Sequence, residues 1–178
     1  MSRKVIMDQK EIRYSLERIG SQIIEKNYGS KELILIGIIR RGNILARRLF
    51  RMIKKKAKIT PLLGSIDITL YRDDLQLVSE SPIIHSSHIP FNINKKIVIL
   101  VDDVIFTGRT IRSALDELVD YGRPRCVQLA VLIDRGHREL PIHADYIGKV
   151  VPTARTEIVN VFLREFDGKD EVEIVKKR

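Results

Sequence analysis

The sequence predicts an α/β protein built on a mainly parallel twisted sheet flanked by helices. Leu33–Ile38 (LILIGI), Ile97–Val101 and Cys126–Ile133 are short and apolar almost throughout. Strands buried on both faces look like this, whereas half-exposed strands alternate. The segments between them repeat their apolar residues every three or four positions, the helical period. Buried strands alternating with helices make a parallel sheet covered on both sides.

The elements follow in order. Asp8-Gln9-Lys10-Glu11 reads as a capping box, the aspartate accepting from backbone donors while Glu11 reaches back. Ile12, Leu16, Ile19 and Ile23 then mark an amphipathic helix to about Lys26. The strand Leu33–Ile38 runs into Arg40-Arg41-Gly42. A helix over 43–56 buries Ile44, Leu45, Leu49, Met52 and Ile53, and its other face carries Arg47, Arg48, Arg51, Lys54, Lys55 and Lys56. Leu62–Tyr71 alternates enough for a strand with one wetter face. From Arg72 to Asn94 the pattern dissolves into a connection longer than most in compact domains. A strand over Ile97–Val101 precedes a helix over Thr110–Tyr121, which Gly122 and Pro124 end. The strand Cys126–Ile133 closes on Asp134-Arg135-Gly136-His137, and late strands are expected at Ile158–Leu163 and Val172–Val175, around Asp167-Gly168. With no internal repeat and no linker, the 178 residues are expected to form a single domain.

Composition narrows the partners. A hydrophobic content of 44% and a charged content of 31% exclude a disordered chain. No apolar run approaches the roughly 18 residues of a membrane span, so no membrane association is expected. The N-terminus lacks a signal-peptide core, and the lone Cys126 cannot form an intrachain disulfide, so the cytoplasm is the expected compartment. Thirty-two Lys and Arg against 23 Asp and Glu leave a charge of +9, which favours anionic partners such as nucleotides, sugar phosphates or nucleic acid.

The stretch VILVDDVIFTGRT, Val98–Thr110, carries the chemistry. A buried strand leads into the adjacent carboxylates Asp102 and Asp103, expected just beyond the strand where the chain turns. Ligands of open α/β sheets collect at that end of the strands. Two neighbouring carboxylates repel unless a metal or paired hydroxyl donors relieve them. Thr107-Gly108-Arg109-Thr110 then opens a helix, and its backbone N–H groups, hydroxyls and helix dipole suit a phosphate. A vicinal diol beside a phosphate describes ribose 5-phosphate. Asp103 stands where a Walker loop needs glycine, and no G-x-G-x-x-G occurs.

ILVDDVIFTGRTI resembles the PRPP-binding signature of type I phosphoribosyltransferases. SIDITLYRDDL, VDDVIFTGRTIRSALDEL, LAVLIDRGHRELPIHADYIGK and VPTARTE are similar to the bifunctional pyrimidine operon regulators that are also uracil phosphoribosyltransferases. The resemblance covers nearly the whole chain. It implies a type I phosphoribosyltransferase fold with a small hood near the base site, and the reaction of uracil with PRPP to give UMP and pyrophosphate. It assigns Asp102 and Asp103 to the ribose diol. Val104, Thr107, Gly108, Arg109 and Thr110 would hold the 5′-phosphate, and Arg40, Arg41 and Gly42 the pyrophosphate. Ile39 and Arg40 depart from the usual basic residue and threonine of that loop. Ile105, Phe106, Asp134, Arg135 and Gly136 would surround the base. Purine-using relatives carry Asp where Phe106 stands, so an aromatic there points to a pyrimidine, although Phe106 could equally be core. A lid is expected over about 71–90, opening with Tyr71, Arg72 and Asp73. Mg²⁺ is expected with PRPP, held largely by the substrate with help from Asp102 and Asp103. His85 and His88 lack a third ligand nearby and are not expected to bind zinc.

The resemblance also implies transcriptional attenuation: binding to a stem-loop in the leader mRNA of pyrimidine genes, modulated by UMP or UTP, by a homodimer or higher oligomer. Arg18, Lys26, His137 and Lys149 match the expected RNA face, whereas Tyr14, Glu17, Ser21 and His143 depart from it. Two other readings stay open: an RNA-binding regulator with little catalysis, and a phosphoribosyltransferase for another base such as hypoxanthine.

Overall fold

The computed structural model describes residues 3–30, 32–69 and 87–176. The elements are β1 (Arg3–Met7), α1 (Gln9–Lys26), β2 (Leu33–Ile38), α2 (Arg41–Ala57), β3 (Leu62–Ile66), β4 (Ile97–Ile105), α3 (Arg109–Asp120), β5 (Cys126–Asp134), β6 (Tyr146–Val150), β7 (Glu157–Phe162), α4 (Arg164–Asp167) and β8 (Glu171–Lys176). A five-stranded sheet has the order β3-β2-β4-β5-β6, and every neighbouring pair is parallel. A second, antiparallel sheet has the order β1-β8-β7 and joins the two ends of the chain. Among the described residues no helix is long and apolar enough to cross a membrane.

The continuous apolar strands are explained by burial on both faces. Leu33, Leu35, Ile97 and Ile99 pack with α1 and α2, while Ile34, Ile36, Val98 and Leu100 pack with Ile111, Ala114 and Leu118 of α3. Neighbouring strand side chains alternate between two cores, so neither face tolerates charge. The capping box of α1 is formed: Glu11 N–H donates to Asp8 at 2.8 Å, and Asp8 N–H to the Glu11 carboxylate at 2.9 Å.

Two glycines set α2 against the sheet. A Cβ on Gly37 would stand 2.3 Å from the Asn43 Cα, and one on Gly42 would stand 2.4 Å from the Val101 carbonyl oxygen. Only hydrogen at both positions lets the start of α2 sit directly on the ends of β2 and β4.

Three expected boundaries move. The strand beginning at Leu62 stops at Ile66, because the Asp67 carboxylate accepts from Thr69 N–H at 2.9 Å and folds the chain out of the ladder. The helix expected from residue 43 begins at Arg41, so Arg41 and Gly42 occupy its first turn instead of a preceding loop. The strand expected to end at Val101 continues to Ile105. Asp102 and Asp103 therefore lie inside the strand, not beyond it. β1 and β6 were not expected from the sequence, since both are short edge strands without an apolar run. Tyr71, Arg72, Asp73, Asp74 and His85, with most of the expected lid, lie outside the described residues.

Candidate active site

The register of β4 makes the site. Its pairing with β2 ends at Gly37↔Val101, while its pairing with β5 continues to Ile105↔Asp134. The last four residues of β4 thus overhang on one side, and Asp102 and Asp103 line the space left there. This is how adjacent strand residues reach one cleft although their side chains alternate. The cleft has a volume of about 250 Å³ and is also lined by Ile39–Arg41, Asp67–Thr69, Val104 and Thr110.

Both carboxyls are pushed above the usual aspartate range. Burial is the main cause for Asp102, which is 6% exposed, and the charge of Asp103 adds to it. Burial also raises Asp103, opposed by its hydrogen bonds and by the charge of Arg41. The Asp102 carboxylate accepts from Asp103 N–H at 2.9 Å and the Asp103 carboxylate from Val104 N–H at 2.8 Å. The pair is short of counter-charge.

Two helices begin at this edge with no bond from an N-cap side chain, although the Thr107 hydroxyl accepts from Arg109 N–H at 3.4 Å. α2 starts after Arg40 and α3 after Gly108, and neither has an acidic residue in its first turn. Their N-terminal dipoles and backbone donors remain for an external anion. Gly108 adopts φ 94°, a conformation that favours glycine, and turns the chain from β4 into α3. Thr110 lines the cleft, but Arg109 turns away: its Nε donates to Glu139 at 3.0 Å. The Thr107 carbonyl accepts from Glu139 and Leu140, which fixes the turn.

At the end of the cleft where pyrophosphate was expected, the Ile39–Arg40 peptide is cis. Arg41 donates from Nε and Nη2 to the two carboxylate oxygens of Asp167 at 3.1 and 2.8 Å. Both Arg40 and Arg41 lie over the Phe166 ring, at 5.1 and 5.5 Å. A second cleft of about 250 Å³ is lined by Arg41, Asp103 and β7 residues Val159–Phe162, so Arg41 borders both spaces.

The expected base residues divide. Ile105 is buried in the core on the α3 side. Phe106 is half-buried, with the Arg135 guanidinium 4.0 Å from its ring centroid and the His137 ring at 75° to it, centroids 5.8 Å apart. Arg135 is buried and donates to the Thr153 hydroxyl and to the carbonyls of Ala154 and Glu157. Asp134 accepts from Gly136 N–H at 2.9 Å and from Arg138 at 2.6 Å. Arg138 also donates to the carbonyls of Phe106, Gly136 and Ile142, bracing this wall. Sequence reasoning missed Arg138, as it missed Asp67 and Asp167. An aspartate within an otherwise apolar strand pattern was the available signal for Asp67; the others had none.

The expected RNA residues form a seam between α1 and β6. Arg18 donates to the Ile147 and Gly148 carbonyls, Lys26 pairs with Asp145 at 2.6 Å, and Lys149 donates to the Ile6 carbonyl at 2.7 Å. His137 lies apart, its ring against the Thr153 carbonyl near Phe106. On α1, Tyr14 is exposed and Glu17 is half-buried and pairs with Arg13, while Ser21 accepts from Lys56. His143 is exposed.

Among the described residues, no three His, Cys, Asp or Glu side chains converge as a metal cage. Two under-neutralised carboxylates in a polar cleft instead suit a divalent ion that arrives with a polyphosphate.

The phosphoribosyl transferase domain family matches residues 2–162. The chain is also 59% identical over 168 residues to the bifunctional protein PyrR of Alkaliphilus metalliredigens, covering 94% of this chain and 92% of that one. This chain belongs to the phosphoribosyl transferase family, among the PyrR proteins. The PyrR of Caldicellulosiruptor bescii is 56% identical over 95% of this chain and 93% of its own length. A hypoxanthine phosphoribosyltransferase from Staphylococcus aureus superposes with a TM-score of 0.72 at 22% identity, over 98% of this chain and 92% of that one. That likeness extends to the phosphoribosyltransferase fold.

Proposed function

We propose that this protein is a uracil phosphoribosyltransferase, converting uracil and PRPP to UMP and pyrophosphate, and that it also regulates pyrimidine genes. The regulation is transcriptional attenuation, through a leader mRNA stem-loop bound in a uridine-nucleotide-dependent way. The observation that carries the catalytic reading is the Asp102–Asp103 pair on the overhang of β4, Asp102 buried and Asp103 half-buried, ahead of the start of α3. The PyrR relatives, described as bifunctional, support the pairing of two roles.

The geometry supports the following roles. Asp102 and Asp103 accept from the 2′- and 3′-hydroxyls of the ribose, exchanging mutual repulsion for two charge-assisted hydrogen bonds. Val104 and the turn Thr107–Thr110 hold the 5′-phosphate on the α3 N-terminus. Arg109 contributes its backbone there, since its side chain is engaged by Glu139. Arg40, Arg41 and Gly42 receive the pyrophosphate at the start of α2.

Uracil N1 attacks C1′ of the ribose as the bond from C1′ to the pyrophosphate oxygen breaks. The N1 proton passes to the departing pyrophosphate, and positive charge grows on the ribose as the old bond opens ahead of the new one. The carboxylates beneath the sugar stabilise that charge, and fixed positioning of the two reactants supplies much of the remaining acceleration. Mg²⁺ bound with PRPP would neutralise the departing phosphates, and Asp102 and Asp103 would help to hold it. Phe106, backed by Arg135, offers its other face to the flat uracil ring, and Asp134 and Gly136 border the same wall. Tyr71, Arg72 and Asp73 open the segment assigned as a lid that excludes water from the ribosyl cation.

For RNA, the α1–β6 seam with Arg18, Lys26 and Lys149, joined by His137, is the assigned surface, shared across a homodimer. The assigned compartment is the cytoplasm. Incubation with PRPP, Mg²⁺ and either uracil or hypoxanthine tests the catalytic reading. UMP formation with uracil alone is expected. Nucleotide formed from hypoxanthine in preference would overturn the base assignment, and no UMP with intact RNA binding would leave a regulator without catalysis.

A further inference from the structure

We propose that Asp167 is a positioning residue for Arg41, fixing which edge of that guanidinium meets the pyrophosphate. The inference rests on the assignment of Arg41 to pyrophosphate and deepens it. Arg41 spends Nε and Nη2 on the two oxygens of Asp167, a paired fork that fixes the plane of the guanidinium. One Asp167 oxygen also accepts from Leu163 N–H at 2.8 Å, so the carboxylate is itself anchored. The pair is sheltered, with the aspartate side chain 12% exposed and that of the arginine 32%. Phe166, one residue earlier, lies under both Arg40 and Arg41.

The short helix α4 thus presents an aromatic face and a carboxylate to the two arginines that open α2. What remains of Arg41 is Nη1 and the second hydrogen of Nη2, and Arg41 borders both the Asp102–Asp103 cleft and the neighbouring cleft along β7. An arginine with a free fork would be drawn toward Asp103, whose charge already acts on it. Asp167 holds it off that carboxylate and turns one donor edge to the incoming anion. The same contact ties the C-terminal hairpin β7-α4-β8 to the pyrophosphate end of the cleft, so the hairpin is a working part of the site.

The test is a double-mutant cycle read by pyrophosphate binding in the presence of Mg²⁺ and by steady-state kinetics. Asp167→Asn keeps the shape but accepts on one oxygen only. It is expected to weaken pyrophosphate binding about tenfold and to raise KM for PRPP in step, with KM for uracil unchanged. In an Arg41→Ala background the same change is expected to have no further effect. Arg41→Lys, which keeps the charge but cannot make the fork, should lose as much as Asp167→Asn and be indifferent to it. Unchanged pyrophosphate binding in Asp167→Asn would overturn the inference, and so would an equal loss in the Arg41→Ala background. If the wild-type protein formed no UMP while pyrophosphate binding followed this cycle, the catalytic reading would fall and the role of Asp167 would stand.

Discussion

The Arg135 guanidinium lies 4.0 Å from the centroid of the Phe106 ring, and three acceptors from the segment Thr153–Glu157 hold it there. One face of the aromatic ring is therefore occupied by protein, and a planar base can use only the other. Phe106→Ala is expected to raise KM for uracil by about tenfold, the scale of one lost aromatic contact, with little change in KM for PRPP. Steady-state kinetics check this; an unchanged KM for uracil would return Phe106 to the core.

Arg135→Met removes a buried donor and leaves its partly buried acceptors at Thr153, Ala154 and Glu157 without it. Its cost is expected to be about 3 kcal/mol of unfolding free energy, measured by chemical denaturation.

The acidic pair makes stability and activity respond oppositely to pH. Burial, with the neighbouring charge, raises the folded-state pKa of Asp102 above its unfolded value near 4. The contribution of such a group is fully present below the unfolded pKa and is lost as pH rises through the raised folded pKa. The ligand-free protein should thus lose stability across that window, and Asp102→Asn should flatten the thermal profile there. Catalysis needs the ionised pair, so turnover should fall as pH drops through the same window. Asp102→Asn and Asp103→Asn should each lower kcat by about 10²–10³.

Gly42→Ala places a methyl group 2.4 Å from the Val101 carbonyl oxygen, against backbone that cannot yield cheaply. The start of α2 must shift. KM for PRPP is expected to rise by at least about tenfold, the sensitivity of a positioned phosphate site to displacement of roughly an ångström.

For the RNA role, Arg18→Ala should weaken binding of a leader stem-loop across all sequences and lower the slope of log affinity against log salt by about one. The same change also frees the Ile147 and Gly148 carbonyls, so a modest fall in thermal stability should accompany it.

Much of this fold was legible because its strands are buried on both faces, and LILIGI and VILV can serve no other purpose in a chain of this composition. The acidic pair and the turn that follows were legible for a related reason: charge cannot continue a buried strand unless a neighbouring strand has ended. Where β4 stops was not legible. Its length past Val101 depends on β5 continuing and β2 stopping, a relation between distant segments. Nor did local pattern disclose the partner of Arg41, because Asp167 lies 126 positions away and belongs to a one-turn helix. The α1 cations looked free for nucleic acid along the sequence, yet Arg18 and Lys26 also bind β6 and its approach. β1 and β6 escaped notice since edge strands need no apolar run.

A nucleotide-soaked crystal tests the central claim most directly. With UMP bound, the account predicts the Asp102 and Asp103 carboxylates within hydrogen-bond distance of the ribose hydroxyls and the phosphate on the backbone of Thr107–Thr110. A ribose turned elsewhere, with that turn carrying no phosphate, would contradict it.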